Sequence, residues 1–118
     1  MEKKIQIKSS KTKIFRQYAD VLNFLLKIRP KELDVLAKLL EYNDKLKHIE
    51  EEHRWKIILD YDTKKEMQAS LEMSNAYFDN CITVLRKKGI LINNKIVKNL
   101  LFHPETNVKL IFDFNLEQ

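Results

Sequence analysis

A chain of 118 residues with one glycine and two prolines has few places at which it can turn sharply. Sandwiches and barrels need many tight turns, several with positive φ, so this scarcity disfavours them and favours helices. The length allows one domain, and 44% apolar residues supply a modest core, which argues against wholesale disorder. A lone cysteine, Cys81, cannot form an internal disulfide, and the apolar runs are only a few residues long. The chain therefore reads as soluble and cytoplasmic, without a membrane span or a signal-peptide core.

The excess of 22 basic over 17 acidic residues gives a net charge of +5, and its location matters more than its size. Residues 1–16 hold Lys3, Lys4, Lys8, Lys11, Lys13 and Arg16 against Glu2 alone, and the remainder of the chain is neutral. This segment reads as a basic N-terminal arm suited to a polyanion. A second basic cluster is Arg86, Lys87 and Lys88.

Alternation around Ile5 and Ile7 predicts a strand over residues 2–8. Apolar residues at three- and four-residue steps from Ile14 predict an amphipathic helix over 12–28, ended by Arg29-Pro30. Pro30 suits the first position of the next helix, whose inward stripe is Leu33, Leu36, Ala37 and Leu40. Asn43-Asp44 suggests a stop, Glu50 to Glu52 a solvated loop, and the alternation at Trp55, Ile57 and Leu59 a short strand. Asp62 or Thr63, the latter in a capping box with Glu66, is expected to open a short helix running to Leu71.

Ser74 is a good N-cap for the following helix, expected over 74–88. Its core face is Phe78, Cys81, Ile82 and Leu85, and Gly89 offers a left-handed C-cap. Beyond it, Ile90-Leu91-Ile92 and the Asn93-Asn94-Lys95 turn predict a hairpin. Val108 to Phe114 predicts a final strand, preceded by a turn over 103–107.

A short helix, a three-residue turn, a second helix and a hairpin are the parts of a winged helix-turn-helix. Residues 71–78, LEMSNAYF, running to 85–91, LRKKGIL, resemble the MarR-type regulators and the RepL-type plasmid or phage replication proteins. Residues 29–36, RPKELDVL, are similar to a helix found upstream in such regulators, so the likeness spans roughly residues 29–97. It implies an α+β, mainly helical, single winged-helix domain over 1–118. Its parts are the basic arm at 1–16, the helix-turn-helix at 63–88, and the wing and final strand at 90–115.

The function so implied is binding of double-stranded DNA by a transcriptional regulator or replication initiator, with helix 74–88 in a major groove. Ser74, Asn75, Tyr77 and Asn80 fall at base- and backbone-contacting positions, Arg86 and Lys87 near phosphate, and Asn94 and Lys95 at the wing tip. Asn75 and Asn80 each offer a donor and an acceptor, which suits an adenine edge. The pattern departs at Gln68, where alanine is usual, at Glu72, where glycine is usual, and at Asp79. Glu72 and Asp79 would repel phosphate, and they favour an alternative: a non-enzymatic assembly or adaptor protein, for example a phage particle component, that uses the same fold to bind protein.

Other chemistry lacks support in the residues. Cys81 sits on the apolar helix face. His48 and His53 are five residues apart, which is not one-face spacing for a metal, and no metal or other cofactor is expected. Asp60 and Asp62 lack the further carboxylates of a nuclease. One glycine cannot build a phosphate loop, so no enzyme is expected. Phe112-Asp113-Phe114 fits a buried strand better than a base-stacking platform. The terminal elements, 2–8, 12–28 and 108–114, lie outside the motif and form the natural surface for a homodimer. Richness in Lys, Asn and Ile fits an AT-rich bacterial or phage genome.

Overall fold

A computed structural model of the chain describes residues 2–6, 13–103 and 109–113. Its elements are β1 (Glu2–Gln6), α1 (Ile14–Leu26), α2 (Pro30–Lys45), α3 (Glu51–Ile58), α4 (Tyr61–Leu71), α5 (Asn75–Lys87), β2 (Leu91–Ile92), β3 (Lys95–Ile96), a 3₁₀ turn (Lys98–Leu100) and β4 (Lys109–Asp113). The molecule is mainly helical, with two separate antiparallel strand pairs: β1 with β4, and β2 with β3. The strands at the two ends of the chain face each other, Glu2 opposite Asp113 and Gln6 opposite Lys109. Residues 7–8, 104–108 and 114, included in the expected outer strands and the turn before the last of them, lie outside the described residues.

The centre of the body is α2, which packs against the other four helices. Leu36, Leu39 and Leu40 are fully buried with Val35, and Pro30 takes the first helical position as expected. The carboxylate of Glu32 accepts the backbone N–H of Arg29 at 2.8 Å, which occupies one of the free donors of the first turn. Arg16 of α1 joins α2 through Asp34 (Nε to Oδ1, 2.6 Å) and also binds Asp20. Burial opposes the charge on this guanidinium, but hydrogen bonds to the two carboxylates outweigh it and raise its pKa.

Five expectations need correction, at the end of the first helix, at Asn43-Asp44, at residues 55–59, at the loop expected over Glu50 to Glu52 and at the start of α4. The first helix stops at Leu26, two residues short of the expected end, because Lys27 turns left-handed (φ 53°) and Asn23 captures the next two N–H groups. Its carbonyl accepts from Lys27 and its side chain from Ile28 at 2.9 Å. Asn43-Asp44 does not stop α2, which continues to Lys45 with Asn43 fully buried. Residues 55–59 are not a strand: they fall in and just beyond α3, with Trp55 and Ile58 inward at three-residue spacing. Glu51 and Glu52 form the first turn of that helix, where negative charge suits the exposed N–H groups.

The opening of α4 is also shifted. Asp60 is its cap, accepting the N–H of Thr63 at 2.8 Å, so the helix starts at Tyr61 and neither Asp62 nor Thr63 caps it. Thr63 is buried, and Glu66 accepts from the Tyr42 hydroxyl (3.1 Å) instead of closing a capping box.

The C-terminal segment returns to the body through aromatics. Phe102 stacks on Tyr18 (centroids 4.2 Å apart, 5° between planes) and meets Phe15 edge-on at 5.9 Å. The Tyr18 hydroxyl donates to the carbonyl of Leu100 at 3.0 Å. No helix of the described residues is long and apolar enough to cross a membrane, and no group of three His, Cys, Asp or Glu side chains comes together there to hold a metal.

Candidate nucleic-acid interface

The site is built on α4, a three-residue turn, α5 and the β2–β3 hairpin. Glu72 ends α4 in the left-handed region (φ 54°), and the N–H of Met73 reaches back to the carbonyl of Gln68 at 2.9 Å. Ser74 then starts α5 as expected, its Oγ accepting from the N–H of Tyr77 at 3.1 Å. Phe78, Cys81, Ile82 and Leu85 fix the inner face against α2 and β2, and Gly89 turns the chain at φ 74°. Burial pushes the Cys81 thiol up, so it is not a thiolate at neutral pH. Asn93 (φ 53°) and Asn94 (φ 59°) make the two-residue left-handed turn that joins paired strands with the correct twist.

With the inner face fixed, helical spacing leaves Ala76, Asn80, Thr83 and Lys87 in one exposed stripe along α5. Tyr77 flanks it on one edge, 46% exposed. On the other edge are Asn75, Asp79 and Arg86, and each has a partner. Asn75 Oδ1 accepts from Gln68 Nε2 (2.9 Å), Asp79 pairs with Lys64 of α4 (3.2 Å), and Arg86 Nη2 donates to Asn94 Oδ1 of the hairpin turn (3.1 Å). Lys95, expected at a wing tip, lies 3.7 Å from Glu51 and 3.9 Å from Glu52.

These contacts divide the eight expected residues. Asn80 and Lys87 are exposed and have no side-chain partner among the described residues, and Tyr77 keeps its hydroxyl there. Ser74 keeps its O–H as a donor while its oxygen caps the helix. Asn75 keeps both amide donors and one lone pair of its carbonyl, the other being taken by Gln68, so it is better placed to donate, as to the guanine O6 or N7, than to pair with an adenine edge. Arg86, Asn94 and Lys95 are drawn into a bracket between α5, the hairpin and α3.

Two of the three departures from the family pattern acquire a physical use. Gln68 is buried and orients Asn75 across the turn, a job alanine could not do. Asp79 is offset by Lys64, a pairing invisible in the sequence because it joins two helices. Glu72 has no charge partner among the described residues, and it occupies a left-handed position (φ 54°) that glycine adopts without strain. Glu72→Gly is accordingly expected to raise stability by about 0.5–1 kcal/mol in urea unfolding, the strain relieved exceeding the added freedom of the unfolded chain. A lowered midpoint would show that this position is not strained.

No protein-family model, curated protein or solved structure significantly matches the chain.

Proposed function

We propose that the protein binds double-stranded DNA through α5, as a transcriptional regulator or replication initiator, within a winged helix-turn-helix. One observation carries this reading: a well-packed, capped helix presents a stripe of Asn80, Thr83 and Lys87 to solvent, and the one carboxylate beside it, Asp79, is already paired. A width of about 12 Å lets the major groove accept one such helix, and Asn80 retains the donor and acceptor that an adenine edge requires. Lys87 and Arg86 at the end of α5 supply cations for phosphate, together with the basic segment at residues 1–16, whereas Lys95 of the hairpin already faces Glu51 and Glu52. In this reading a homodimer would meet through the terminal elements, α1 among them, where Leu25 is exposed.

Selection of bound sequences from a random duplex pool, with the molecular mass measured on the same sample, tests both parts. A palindromic site bound by a dimer is the expected outcome. Asn80→Ala is expected to weaken binding to the selected site by about 1–3 kcal/mol and to relax preference at one base pair, whereas Asn75→Ala changes preference at a guanine. Unchanged affinity and preference in both variants would remove α5 from the reading role.

The alternative, an adaptor or phage assembly component, is favoured by Tyr61, Tyr77 and Ile92, which are large, apolar and exposed on α4, α5 and β2. Titration with salt separates the two classes. Absence of binding to random duplex at low ionic strength selects the adaptor.

A further inference from the structure

β1 and β4 form a two-stranded sheet of their own, five residues to each strand, and among the described residues no helix is laid along either of them. Two strands alone are marginally stable in water, and a sheet is held by further strands with an apolar face or by a helix packed on it. Each strand here keeps one edge without a strand partner among the described residues. The two edges differ in kind. β1 reads EKKIQ, and its lysines are the residues that guard an edge against further pairing. β4 reads KLIFD, a cation, three apolar residues and an anion.

That order is its own complement when run antiparallel. About Ile111, Lys109 of one copy falls opposite Asp113 of the other, Leu110 opposite Phe112, and Ile111 opposite its own counterpart. The same operation on β1, about its middle residue, sets Lys4 against Lys4. A second observation points the same way. Within one chain the register puts Glu2 opposite Asp113, carboxylate against carboxylate, while Lys4, the next cation along that face, stands opposite Ile111. The twofold brings Lys109 of the second copy to the other side of Asp113, a cation where the single chain has none.

We infer that the protein dimerises by pairing β4 with β4 of a second copy, antiparallel and centred on Ile111. The product is a four-stranded sheet with the lysine-bearing β1 strands at its outer edges. Residues directly opposite share a face, so Ile5, Leu110 and Phe112 of both copies fall on one side of it. The twofold consumes both β4 edges and leaves only guarded ones, so association closes at two copies. This deepens the homodimer of the proposed function by naming its edge and its register.

Sedimentation equilibrium of the full chain, without DNA, is expected to give twice the chain mass. Lys109→Asp sets carboxylates opposite each other at both ends of the β4 pair and is expected to raise the dissociation constant about tenfold or more. Adding Asp113→Lys reverses both partners and is expected to restore it to within about threefold of wild type, with the circular dichroism spectrum retained throughout. Single cysteines read the register. On oxidation with copper phenanthroline, Ile111→Cys is expected to cross-link two copies at least about tenfold faster than Lys109→Cys or Asp113→Cys, whose counterparts the twofold holds beyond disulfide reach. Wild type, with Cys81 buried, is the control. A monomer at every concentration overturns the pairing and the homodimer together. A dimer that Lys109→Asp leaves unchanged, a loss that Asp113→Lys does not restore, or equal cross-linking by the three cysteines overturns this edge and register and keeps the homodimer. DNA takes no part in either measurement, so the outcome stands apart from duplex binding.

Discussion

Truncation of Phe78 to alanine is expected to destabilise the protein by about 3–5 kcal/mol, a large share of the roughly 5–15 kcal/mol available to a domain of this kind. Phe78 is fully buried, one turn into α5, where that helix packs on α2. The loss combines the transfer of a large apolar side chain with a cavity in a core where Leu36 and Leu85 are also fully buried. Urea unfolding followed by circular dichroism measures it. A cost under about 1 kcal/mol would mean that α5 is not seated as described, and the placement of its outer stripe would fall with it.

The second large effect is electrostatic. Replacing Lys3, Lys4, Lys8, Lys11 and Lys13 with glutamine is expected to flatten the dependence of log affinity on log salt by up to about 4.5, at about 0.9 for each phosphate that is no longer neutralised. Sequence preference should survive, because phosphate contacts position the protein and base contacts specify the site. Arg16 is left in place, since Asp20 and Asp34 already answer its charge and hold it to α2. Substitution is a better test than removal of the segment, because residues 2–6 are the strand partner of 109–113. An unchanged salt slope would take the basic segment out of DNA binding.

The parts legible in the sequence are those where one local rule decides. Pro30 begins α2, Ser74 caps α5, Gly89 and the two asparagines take positive φ, and the spacing of Phe78, Cys81, Ile82 and Leu85 names the buried face. Where two rules compete, the pattern misleads. Trp55, Ile57, Ile58 and Leu59 fit either period in so short a run, and the inward pair of α3 is decided by tertiary packing. Asn43 reads as a stop because its side chain competes with the backbone, but burial against the rest of the core carries α2 past it. The site is legible only as a set of positions. Which atoms remain free depends on Gln68 reaching Asn75, Lys64 reaching Asp79 and Asn94 reaching Arg86, all contacts between different elements.

The seating of Phe102 between Phe15 and Tyr18 has a mechanical meaning. The hairpin is fastened at both flanks to different bodies: Gly89 and Ile90 lead directly from α5 on one side, and Leu100 and Phe102 are clasped by α1 on the other. A strap fixed at two anchors cannot follow one of them alone. A displacement of α1 relative to α5 would therefore pull on the two flanks of the hairpin unequally and change its tilt.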